Sequence, residues 1–233
     1  MLAGDLNRCI GFPCTDVDHT GYVLPSLPAR RDHIRVIMLS AAPPPAADGS
    51  TEYRSPFALT DVVEVFQAAG FDVLDLEDVR NLGVYVTTAI NCPKIGFGVR
   101  QETVETCSHF LEAEIDMFPN VKSILLMGNT AIRAINAVAV RKFGSPAIPT
   151  GSAYKVKGHE YPFGDIALFP SYPASGRNLS VEGTRQEVIA IDIRNAIEVA
   201  GGPPTRPHQT RPMREPRHSP EPRQHESLRG SSE

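Results

Sequence analysis

The stretch GVYVTTAINCPKIGFGVRQETVETC, residues 83–107, decides the architecture. Val84, Tyr85, Val86, Thr87 and Thr88 form an unbroken β-branched and aromatic run, the pattern of a strand buried on both faces in the middle of a parallel sheet. The strand is expected to end at Asn91-Cys92-Pro93. The glycines and proline that follow call for an irregular loop leaving the sheet's carboxyl edge. From Gln101, positions Val104, Cys107, Phe110, Leu111, Glu114 and Ile115 recur near helical spacing, which puts Cys107 on the inner face of a helix over residues 102–117. One thiol at a strand end and another inside the next helix can therefore face the same point.

Working outward, Arg35–Leu39 (RVIML) is a second strand, and it runs into Ser40–Pro45, a loop of small residues and prolines. Open α/β sheets place their sites at such carboxyl ends. Thr60 is a plausible N-cap for a helix carrying Val62, Val63, Val65 and Phe66 and closed by Gly70. Residues 71–76 are expected to form a further strand. Val121–Met127 (VKSILLM) is another buried strand, turned by Gly128-Asn129-Thr130 into a helix over 131–143. Tyr154–Lys157 and Ile166–Phe169 are expected as strands flanking a turn. The exposed loop FPSYPASGRN and a helix over 181–200 follow. This alternation predicts an α/β fold, a three-layer α/β/α sandwich with a mainly parallel central sheet.

A chain of 233 residues with 41% hydrophobic content can bury one sizeable α/β core. No apolar run approaches the roughly 20 residues needed to span a bilayer, and the N-terminus MLAGDLNRCIGF lacks the regions of a signal peptide. A cytoplasmic, monomeric protein without membrane contact is expected. The net charge of −4 is unevenly spread. The last 33 residues carry six arginines against four acids, which leaves 17 basic and 23 acidic groups in residues 1–200. An acidic body argues against broad, salt-driven coating of nucleic acid but leaves room for a local basic groove. From Gly201 the composition turns to Pro, Arg, His, Ser and Glu, so a disordered tail over 201–233 is expected behind a folded domain of residues 1–200. Its histidines, His208, His218 and His225, are expected to be solvated.

Cys9 and Cys14 are separated by four residues and Cys92 and Cys107 by fourteen. Four cysteines in an intracellular chain of this size point to ligands rather than disulfides. An iron–sulfur cluster needs four thiolates converging on one soft centre and tolerates irregular spacing. Structural zinc usually brings its second pair much closer together. Spacing alone leaves cluster, zinc and four unrelated buried thiols open.

The pattern resembles the uracil-DNA glycosylase superfamily, specifically its iron–sulfur-containing branch. There, two cysteines near the N-terminus join one after a VYxTNxxKC-like strand and one in the following helix, as Cys9, Cys14, Cys92 and Cys107 do here. KSILLMGNTAIRAI looks like the family's strand, glycine turn and helix. RVIMLSAAPP sits where the family has its first active-site motif, Phe57 in RSPF matches the PF after it, and PSYPASGRN falls at the second, HPS-type motif. The resemblance covers about residues 8–195. It implies a 4Fe–4S cluster on the four cysteines, lesion-bearing DNA, single- or double-stranded, as the partner, and hydrolysis of the N-glycosidic bond of a damaged or deaminated base after it is rotated out of the stack.

It also implies a site, and the chain departs from the family there. Ala41 stands for the first motif's glutamate, Thr88 for the asparagine that reads uracil, and Tyr172 for the second motif's histidine. Ala41, Ala42 and Pro43 would line the pocket without activating water, leaving Asp48 and Glu52 as the nearby carboxylates. Thr88 offers one hydroxyl where an amide offers donor and acceptor, which weakens a strict uracil preference. Tyr172 can donate to a departing base anion but brings no positive charge. Phe57 keeps a stacking face, and Ser175, Gly176 and Arg177 keep phosphate-binding chemistry. Lys155, Lys157 and His159 form a basic edge or a solvated hairpin. His109 has no assigned role. These departures leave two readings: a glycosylase with an altered pocket, or a nucleic-acid-binding member of the same fold without efficient hydrolysis.

Overall fold

A computed structural model describes residues 9, 11–44, 59–96, 98–149, 151–174 and 183–202. The chain alternates β1 (Val36–Ser40), α1 (Leu59–Ala68), α2 (Leu76–Asn81), β2 (Val84–Thr88), α3 (Gln101–Ile115), β3 (Ser123–Met127), α4 (Asn129–Phe143), α5 (Ala153–Val156), β4 (Tyr161–Phe163), β5 (Ile166–Ser171) and α6 (Gly183–Val199). The strands form one sheet in the order β2-β1-β3-β5-β4, parallel except for β4, which pairs antiparallel with β5.

The apolar runs explain this order. All five residues of β1 and of β3 are buried, as expected of strands covered on both faces. Alternate residues serve opposite layers. Ile37, Leu39, Tyr85, Ile124, Leu126 and Leu168 pack against α3 and α4 through Val104, Leu111, Ile115, Ile135 and Val138. Val36, Met38, Val84, Leu125, Met127 and Phe169 pack against α1 and α6 through Val62, Val65, Phe66, Ile189, Ile193 and Ile197. Each such side chain contributes about 1.5–3 kcal/mol. Truncating Leu126, fully buried at the centre, to alanine should cost about 2–5 kcal/mol. The three-layer α/β/α sandwich expected from the sequence is the observed fold.

Two expected strands are absent. In residues 71–76, Asp75 caps α2 by accepting the Asp78 N–H, and Asp78 accepts the Leu74 N–H at 2.9 Å. Capping wins because only Val73 of this stretch is buried, with Leu74 64% exposed. Residues 154–157 form the turn of α5 instead of a strand. The Ala153 N–H is held by Asn129 Oδ1 at 2.6 Å, and Ala153 and Val156, three apart, bury on one face. The strand partner of β5 is Tyr161–Phe163. Elsewhere the differences are boundaries: α3 starts at Gln101, α4 at Asn129, and Gly70, at φ +88°, ends α1 as expected. The proposed cap Thr60 lies in the first turn, and the residue preceding α1 is outside the described residues. Residues 203–233, the body of the expected tail, are also outside them. Among the described residues no helix is long and apolar enough to cross a membrane.

Candidate functional site: a thiol cavity and the carboxyl edge of the sheet

The segment carrying Cys14 has little core of its own and is held by the loop after β2. Val17 and Lys94 form an antiparallel bridge. Asp18 donates its N–H to the Pro93 carbonyl at 2.8 Å, Ile95 to Asp16 at 3.3 Å and Val23 to Asn91 at 2.8 Å. Asp16 reaches the start of α3, which has no side-chain cap of its own, accepting the Arg100 N–H at 2.6 Å and the Thr103 hydroxyl. The Tyr22 hydroxyl accepts the Cys9 N–H at 3.1 Å, and Phe12 packs edge-on to Tyr22 and tilted against His19.

This docking brings four free cysteines to one small cavity: Cys9, Cys14, Cys92 and Cys107 all line it, with Val17 and Ile90 among its apolar walls. Burial pushes the Cys92 thiol up to about 12, and the nearby Cys107, Cys9 and Cys14 add to the shift. Burial likewise pushes Cys107 up to about 11, opposed by the Asn91 backbone N–H and reinforced by Cys14 and Cys9. The thiols are thus within electrostatic reach of one another. Among the described residues no group of three or more His, Cys, Asp or Glu side chains converges closely enough to hold a metal ion. The thiols share a cavity rather than a point.

At the carboxyl edge, Thr88 is buried opposite Ser40. Ala89 and Ile90 donate to the Ser40 and Ala41 carbonyls at 2.8 and 3.2 Å, which ties the loop after β1 to the loop after β2. Pro43 is buried there, with Ala41 and Ala42 partly so. Two strands away, Ser171 ends β5 beside Met127 of β3. Gly128 takes φ +95°, and a Cβ on it would lie 2.8 Å from Pro173 Cγ, so glycine is needed on both counts. Tyr172 is half-buried with Lys157 Nζ 5.0 Å and Arg185 Cζ 5.5 Å from its ring centroid. Lys157 Nζ also stands 5.4 Å from the Tyr154 ring. Beneath them Asp192 is 4% exposed. Burial pushes its carboxyl up to about 6, partly offset by the Ser171 hydroxyl and Lys157. Among the described residues, neither Ser171 Oγ nor Asp192 Oδ2 completes a hydrogen bond. A second buried acid, Glu114 on α3, accepts hydrogen bonds from the Tyr85 and Thr87 hydroxyls, and burial pushes it up to about 7.

The sequence matches the family described as Uracil DNA glycosylase superfamily over residues 30–191. The chain belongs to the uracil-DNA glycosylase superfamily. It is also similar to the Type-5 uracil-DNA glycosylase of Thermus thermophilus, with 25% identity over 176 residues, 72% of this chain and 76% of that protein. The superfamily match begins after the segment that carries Cys9 and Cys14.

Within this superfamily frame, Ala41, Ala42 and Pro43 lie in the loop after β1, which leaves the sheet beside Thr88 at the end of β2. Tyr172 stands across β3, two interstrand spacings or about 10 Å from β1. Asp48, Glu52, Phe57, Ser175, Gly176 and Arg177 lie outside the described residues. The sequence reading does not foresee the buried acid Asp192 or the pairing of Lys157 with Tyr172. Asp192 is findable, because it falls three residues after Ile189 and four before Ala196, on the inward stripe of α6.

Proposed function

We propose that this protein is a DNA glycosylase that hydrolyses the N-glycosidic bond of uracil or a related damaged base in DNA repair, single strands included, and works as a cytoplasmic monomer. The observation that carries the reading is the superfamily match over residues 30–191, which spans both edge loops. Cys9, Cys14, Cys92 and Cys107 would hold a 4Fe–4S cluster. Four free thiols around one apolar-walled cavity suit a polynuclear centre, which takes one thiolate at each corner, better than a single ion that draws all donors to one point. When bound, such a cluster cross-links the N-terminal segment to the loop after β2 and to α3, and can carry an electron. The folded domain is residues 1–200, and residues 201–233 are a tail outside it.

The chemistry at the edge follows from what the reaction demands. A flipped base needs a stacking face, a reader of its edge, and donors where charge develops on departure. Phe57 is assigned the stacking, Thr88 the edge contact, Asp48 the water, and Ser175, Gly176 and Arg177 the phosphates. Tyr172 donates to the departing base, with Lys157 supplying beside it the positive charge that tyrosine lacks. The absence of a carboxylate at Ala41 favours a second reading, binding of a flipped base without efficient hydrolysis. Formation of abasic sites on oligonucleotides carrying uracil, hypoxanthine or xanthine, single- and double-stranded, separates the two. Release of any of these bases supports the glycosylase, and lesion-selective binding without release supports the binder.

A further inference from the structure

We infer that Asn91 and His19 are N–H donors to the sulfur atoms of the cluster, and that they set its reduction potential. The inference rests on the cluster reading above. Asn91 and His19 line the same cavity as the four cysteines. Asn91 is 5% exposed, and its backbone carbonyl is engaged elsewhere, taking the Val23 N–H at 2.8 Å. The side-chain amide is left over. Among the described residues its Nδ2 is buried without a hydrogen-bond partner. His19 Nε2 is likewise buried without a partner, its ring fixed against Phe12 at a centroid distance of 5.0 Å.

Buried polar nitrogens in folded proteins are almost always partnered, and two unpartnered ones lining one cavity, with His19 protonated on Nε2, call for an acceptor inside it. The side-chain inventory of the cavity offers thiols, aromatic rings and aliphatic carbon, together with the Tyr22 and Thr103 hydroxyls. Cluster sulfides and coordinated thiolates are diffuse anions that accept N–H bonds. Such bonds stabilise the more electron-rich state, so each donor raises the potential. Asn91 lies directly before Cys92, and His19 opens the short helical turn His19–Gly21 on the docked N-terminal segment. The two donors therefore approach the centre from the two halves of chain that it joins.

The test uses anaerobically prepared full-length protein. Iron analysis comes first, and about four irons per chain are expected. Asn91→Leu and His19→Phe should each keep the iron and move the cluster's midpoint potential to more negative values, and His19→Gln, which restores a donor near Nε2, should return it towards the parent. In unmutated protein labelled with 15N-asparagine and 15N-histidine, pulsed electron paramagnetic resonance of the paramagnetic cluster should resolve coupling to both residue types, a readout that stands even if a variant fails to load. Unchanged potentials in iron-replete variants, or no coupling to either label, overturns the inference and leaves the cluster intact. An unmutated protein without iron overturns the cluster reading itself.

Discussion

Gly21 lies against the ring of Pro93, so that a Cβ built on Gly21 would sit 2.5 Å from Pro93 Cγ and 2.8 Å from Cδ. This contact joins the segment bearing Cys14 to the residue that follows Cys92. A proline ring cannot swing aside as a long side chain can, so Gly21→Ala should push the two strips of chain apart. A cost of about 1–3 kcal/mol is expected, together with a lower iron content per chain. Thermal melts and iron analysis check it, and unchanged values in both would mean that the strips do not pack this tightly.

On the proposed cluster reading, Cys107→Ser should release iron and loosen residues 11–33, whose fixed points are the bonds to residues 91–95 and to the start of α3. Limited proteolysis before and after the substitution reads this out. Equal protection of that segment in both proteins would show that backbone pairing holds it without help.

Glu114 gives the fold a pH dependence of definite sign. Burial raises its carboxyl from 4.5 to about 7. Its folded pKa exceeds its unfolded one, so the associated stability is fully present below about pH 4.5 and is lost as pH rises through 7. The loss is on the order of 3 kcal/mol at most. Glu114→Gln should flatten the dependence, gaining on the parent between about pH 5 and 8 in urea melts. Parallel pH profiles for the two proteins would show that the acid is not buried in the neutral form.

Tyr172 and Lys157 should fail in turnover rather than binding. A bond to the departing base strengthens only as negative charge develops. Tyr172→Phe should slow single-turnover base release by about 100-fold. Lys157→Met, which keeps the apolar stem beside Tyr154 and Tyr172, should also slow it while leaving affinity nearly unchanged. Loss of affinity with an unaltered rate would reassign both residues to phosphate contact.

Much of this was legible in the sequence. The run Val84–Thr88 and the stripe from Val104 to Ile115 specified a buried strand and its helix because apolar period and chain direction are local properties. Even Glu114 fell on the inward stripe, though nothing local showed that Tyr85 and Thr87 would satisfy it. Residues 71–76 and 154–157 differ from the expected strands because short mixed apolar and polar stretches are ambiguous until their partners are known. Asp75 and Asp78 chose capping, and Asn129, 24 residues away, chose the turn at Ala153. The grouping of Lys157, Tyr172 and Asp192 depends on α5, β5 and α6 meeting at one edge, a long-range relation that spacing does not carry.

Single-turnover formation of abasic sites on a uracil-containing single strand, with iron-replete protein in excess over substrate, tests the central claim most directly. The account predicts conversion to alkali-labile product there or on the matching hypoxanthine or xanthine strand, slowed by Tyr172→Phe and Lys157→Met. Intact uracil after prolonged incubation, and equally intact hypoxanthine and xanthine in single and double strands, would contradict it and leave a base-binding member of the superfamily.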